Sequence, residues 1–108
     1  MRKILIRNGA EPQWSEVIEA RLRLMLGSML GHINQLEVEF DVTNDEVSNK
    51  KTYSCTLVVV EDSGERFLFR NHQADGNLAI DGATARARRS IVRLKRSQAP
   101  SRWLASAW

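Results

Sequence analysis

Four arginines, Arg86, Arg89, Arg93 and Arg96, recur three and four residues apart near the end of the chain. On a helix this spacing stacks them into one stripe. Arg88 and Lys95 flank the apolar face of the same helix from the other side. Guanidinium groups at this density bind phosphate oxygens, so the chemistry they offer is recognition of a polyanion. Residues 86–108 hold seven basic side chains and no acidic one, whereas residues 1–85 hold nine basic and thirteen acidic. The net charge of +3 therefore conceals a positive field concentrated at one end. A face that only keeps a protein soluble ordinarily mixes signs. This one does not.

Little else in the chain could do chemistry. His32 and His72 are the only histidines and Cys55 is the only cysteine, without the paired spacing of a metal site. The histidines are expected at the surface and Cys55 in the core. Glu37 and Glu39 share a strand face and could mimic the paired carboxylates of an acid–base site. An exposed acidic strand face is far commoner, and no base or pocket is indicated beside them. Glycine-rich phosphate loops are absent. The expectation is a binding protein, with no catalytic residue, metal, cofactor or small-molecule substrate.

At 108 residues the chain is expected to form one α+β domain over residues 1–97, followed by a tail at 98–108. No apolar run approaches the ~20 residues that span a bilayer, and the start lacks a signal-peptide core. A lone cysteine suits a reducing compartment, so the expected location is the cytoplasm.

The elements that must position the arginines follow from periodicity. Residues 3–7 read as a short apolar strand ended by Asn8-Gly9. Ser15 is expected to cap a first helix that runs to about residue 30, with Ile18, Leu22, Met25, Leu26 and Met29 on its core face and Gly31 as its stop. Leu36, Val38, Phe40 and Val42 alternate with Glu37, Glu39 and Asp41, a strand with one buried and one wet face. Residues 52–61 and 66–70 form a hairpin around Asp62-Ser63-Gly64, and residues 71–74 connect to the last helix.

That helix is predicted over 75–96, entered through Asp75-Gly76-Asn77. Ile80, Ala83, Ala87, Ile91 and Leu94 fall on its buried face. The order β-α-β-β-β-α, with one apolar stripe per helix, predicts a two-layer sandwich: a four-stranded sheet with both helices on one face. Trp103 and Trp108 lie in the tail after Pro100, free to dock on the body or on a partner.

This order of elements, together with Ala79-Ile80-Asp81-Gly82-Ala83 opening a helix that ends in Arg-Leu-Lys-Arg at 93–96, resembles the short form of the ribosome hibernation-promoting factors, also called sigma-54 modulation proteins. Weaker matches are Ile6-Arg7-Asn8, Ser15-Glu16 and Leu26-Gly27, so the resemblance covers residues 3–96. It implies a fold similar to double-stranded RNA-binding domains, and occupation of the decoding channel of the small ribosomal subunit, which stops translation without breaking a bond. The RNA-binding residues would be Arg86, Arg88, Arg89, Arg93, Lys95 and Arg96, with Arg21 and Arg23 on the first helix. That helix departs from the family in having Leu24, Met25, Ser28 and Met29 where several lysines are usual. Two alternatives fit the same fold: a general RNA-binding protein, and a protein-interaction module using Trp14, Leu24, Trp103 and Trp108.

Overall fold

The alternation of Leu36, Val38 and Phe40 with Glu37, Glu39 and Asp41 makes a strand that is dry on one side and wet on the other. In the computed structural model this strand is β2 (Ile33–Asn44), one of the two inner strands of a four-stranded sheet. The structure describes residues 3–98, except for the side chains of residues 3, 28, 30, 32 and 94–98. Leu94, Lys95, Arg96, Trp103 and Trp108 therefore lie outside the described side chains.

The elements run β1 (Lys3–Asn8), α1 (Trp14–Leu26), a 3-10 turn (Gly27–His32), β2, β3 (Lys51–Glu61), β4 (Arg66–Gln73) and α2 (Gly76–Gln98). β1 pairs parallel with β2, placing Ile4 opposite Leu36 and Ile6 opposite Val38, and α1 supplies the crossover that a parallel pair requires. β2–β3 and β3–β4 are antiparallel, with Phe40 opposite Cys55 and Leu57 opposite Phe69. The result is the expected β-α-β-β-β-α two-layer α+β sandwich.

Burial puts the core on one face of the sheet. Leu36, Val38, Phe40, Cys55, Leu57 and Val59 meet Ile18, Leu22 and Leu26 of α1 and Ala79, Ile80, Ala83, Ala87 and Ile91 of α2, all buried. The alanines recur every four residues, so α2 can lie close over β3 and β4. Thr84 is also buried, and its hydroxyl donates to the Ile80 carbonyl at 2.7 Å, which leaves no orphan polar atom there.

Three local expectations are corrected. α1 does not reach residue 30. It ends at Leu26, because Gly27 turns to φ 41 and donates its N–H to the Arg23 carbonyl. Ser15 is not a cap but a first-turn residue whose hydroxyl accepts from the Asn8 amide at 3.1 Å. β4 does not stop at Arg70: Asn71, His72 and Gln73 continue its pairing with β3.

Asn71 explains that extension. Its buried amide donates to the carbonyls of Leu78 (3.1 Å) and Ala79 (3.3 Å), tying the end of β4 to the start of α2. A Cβ at Gly82 would stand 2.1 Å from that amide nitrogen, so the mid-helix glycine, despite its ~1 kcal/mol propensity cost, makes room for the tie. We expect Asn71→Ala to lower stability by about 1–2 kcal/mol, measured by denaturant unfolding, because two buried hydrogen bonds are lost.

Trp14 is also corrected. Rather than facing a partner, it is half-buried, with its ring 5.1 Å from Phe40 and 5.6 Å from Tyr53. Its indole N–H donates to Glu11 at 3.0 Å. The trio closes one end of the core.

Candidate nucleic-acid interface

α2 is set in register by Asp75, whose carboxylate accepts the backbone N–H groups of Asn77 (2.7 Å) and Leu78 (3.3 Å). Once Ala79, Ile80, Ala83, Thr84, Ala87 and Ile91 face the core, the opposite arc of the helix must face water. Arg86, Arg88, Arg89 and Arg93 lie on that arc, and all four are exposed.

They are not equivalent. Arg86 donates to the carbonyl of Arg70 at 2.6 Å, so it covers a backbone acceptor on the edge strand β4. Arg88, Arg89 and Arg93 make no ion pair or hydrogen bond among the described residues. With Met25, Ala85 and Val92 they line a groove of about 510 Å³ between the end of α1 and the middle of α2. Ala85 and Val92 are half-buried and sit seven residues apart, two turns along the same side of the helix. Met25, expected on the core face of α1, is only half-buried and belongs to this groove instead.

The two cations of α1 are engaged. One Arg21 nitrogen donates to both Asp81 carboxylate oxygens at 2.7 Å, which clamps α1 to α2. Arg23 pairs with Glu19 one turn earlier at 3.0 Å, fully on the surface. An exposed pair of that kind is worth only about 0.2–1 kcal/mol, so a phosphate could displace Glu19 easily. The Glu19–Arg23 spacing is readable from sequence as an i,i+4 pair, whereas nothing in the pattern marks Arg21 as paired, because its partner lies sixty residues away.

The remaining described candidates do not converge, and the His32 side chain lies outside the described ones. His72 is exposed on the outer sheet face, opposite Ser54, while Cys55 is buried on the inner face. Burial pushes the Cys55 thiol up to about 12, which keeps it neutral and a poor nucleophile. Among the described residues no three His, Cys, Asp or Glu side chains group to hold a metal ion. Glu37 pairs with Arg66 across the sheet, and Glu39 is exposed. A smaller groove of about 210 Å³ beside them mixes Arg7 and Arg66 with both glutamates. No described helix is long and apolar enough to cross a membrane.

Comparison with known proteins places the architecture. No protein-family model matches the chain, and no curated protein matches it. Solved structures do. A ribosomal subunit interface protein from Coxiella burnetii superposes with a TM-score of 0.67 at 14% identity, over 86% of this chain and 97% of that one. The N-terminal domain of Protein Y from Thermus thermophilus superposes with a TM-score of 0.57 at 17% identity, over 87% of this chain and 99% of that one. The chain has the fold of these proteins.

Proposed function

We propose that this protein is a non-catalytic ribosome-associated factor that binds RNA of the small subunit through α2 and halts translation by occupying the site. The observation that carries this reading is the set of three exposed arginines, Arg88, Arg89 and Arg93, without a partner among the described residues, on one helix of a fold shared with a ribosomal subunit interface protein. Each guanidinium can take a phosphate oxygen and release its condensed counterion, so affinity comes from folded RNA backbone with little sequence readout. Arg86 and Arg96 would extend the stripe along α2, and Lys95 would flank it on the side of Arg88. Residues 1–97 would form the binding body, and its place would be the cytoplasm, where ribosomes work.

Sucrose-gradient sedimentation of a ribosome extract tests this directly. Co-migration with small subunits or intact ribosomes is expected, and the bound fraction should fall steeply with salt. Three phosphate contacts imply a loss of roughly twenty- to forty-fold for a fourfold rise in salt. Migration only at the top of the gradient, with a protein partner in pull-downs, would instead favour the interaction module, for which Leu24, 83% exposed, is the available anchor. Binding to free RNA but not to ribosomes would leave a general RNA-binding protein.

A further inference from the structure

The groove between α1 and α2 has a feature that phosphate binding does not use. Its floor is apolar, made by Met25, Ala85 and Val92, and its rim is cationic, made by Arg88, Arg89 and Arg93. At 100° per residue, Ala85 and Val92 fall within about 20° of each other on α2, with Arg88 to one side and Arg89 and Arg93 to the other. The three guanidinia thus bracket an apolar bed on both sides. A solubilising face has no reason to keep such a bed open between like charges.

We propose that this groove holds one unpaired RNA nucleotide, its base lying on Met25, Ala85 and Val92 and its phosphates on the arginine rim; this rests on the RNA-binding reading above. Three properties of the groove favour that occupant. Its volume of about 510 Å³ falls in the range of small-ligand sites, roughly 300–1,000 Å³. An amphipathic peptide helix would instead need a long hydrophobic groove for its apolar face, and the three described floor residues do not make one. The described rim residues are all cationic and unpaired among the described residues, so the rim complements a phosphodiester on either side of the base. Planar guanidinia also stack on nucleobases, which an ammonium group cannot do.

Paired RNA cannot use the floor. Its bases are stacked inside the duplex and only phosphates and sugars reach the rim. The groove therefore converts a sequence-neutral cationic helix into one that selects loops, bulges and strand ends. Sequence preference is weak, because every base offers a flat face.

Fluorescence anisotropy with the full chain tests this at one fixed salt concentration. The probes are a single-stranded ten-nucleotide RNA and a blunt RNA duplex with the same number of phosphates. The single strand is expected to bind about tenfold more tightly, the effect of one stacked base. Ala85→Leu fills the floor without altering charge, and should bring single-strand affinity down to the duplex level while leaving duplex affinity and salt dependence unchanged. Met25→Ala, on the other helix, removes floor contact instead of filling it, and should lower single-strand affinity several-fold with no effect on the duplex; it serves if Ala85→Leu melts early. Equal affinities for the two RNAs, unaffected by either variant, would overturn the nucleotide site and leave the phosphate reading standing. Failure to bind either RNA would also overturn it, and the gradient experiment then judges ribosome association separately. Displacement of the bound RNA only by an acidic helical peptide of higher affinity would reassign the groove to a protein partner.

Discussion

Arg89→Glu combined with Arg93→Glu is expected to abolish pelleting with purified small ribosomal subunits while leaving the melting temperature nearly unchanged. Both arginines are exposed, one turn apart on α2, and neither makes a hydrogen bond or ion pair among the described residues. Nothing in the fold depends on their charge, so the stability change should stay within about 0.5 kcal/mol. Binding is another matter. Two cations become two anions, a swing of four charges, so repulsion from phosphate adds to lost attraction. Arg86 and Arg21 cannot compensate freely, because one holds the Arg70 carbonyl and the other holds Asp81. Glu39→Lys makes the matched control, since Glu39 is exposed on the outer face of the sheet and Glu37 is committed to Arg66. If the double variant pellets like the wild type, the arginine stripe serves solubility and the interaction-module reading takes its place.

The contrast between Arg21 and Arg89 shows where a linear pattern stops being informative. The helical spacing of Ile80, Ala83, Ala87 and Ile91 identifies the buried face of α2, and the arginines are thereby assigned to the opposite arc. Periodicity is local and survives into the fold. Pairing need not be local. Whether an arginine is free to meet a phosphate depends on whether a carboxylate from another element arrives beside it, as Asp81 does for Arg21.

The same distinction explains the corrected boundaries. Continued apolar spacing through Met29 favoured a longer α1, yet one backbone angle at Gly27 ends it. Polar Asn71 and His72 read as a connection, yet Asn71 is drawn inward by two carbonyls of α2. Trp14 looked like a partner contact only because Phe40 and Tyr53 are remote in sequence. The groove floor was the least legible of all. Met25 reads as an ordinary core residue of an amphipathic helix, and only the packing of α1 on α2 leaves it half-open beside Val92.

Ile80→Asp and Phe40→Asp are each expected to unfold the protein. Both side chains are fully buried in the single layer between sheet and helices, Phe40 from β2 and Ile80 from α2. Phe40 stands 5.1 Å from the Trp14 ring and 5.8 Å from Tyr53, so its loss also dissolves the aromatic cluster that closes the core. Truncating such a residue to alanine already costs about 3–5 kcal/mol. A carboxylate adds the penalty of burying a charge in an apolar layer, or of binding a proton to avoid it. Domains of this size are stable by only about 5–15 kcal/mol in all, so the sum is enough to remove the native state. Ile80→Val is the companion variant: it keeps the site apolar and should cost about 0.5–1.5 kcal/mol, visible as a lower but still cooperative melt. Circular dichroism of all three separates the effects of charge and volume. A native melting curve for either aspartate variant would mean that α2 does not pack on the sheet through Ile80, or that Phe40 does not face it. The arginine arc would then no longer be fixed outward by the core, and the groove above it would lose its structural basis.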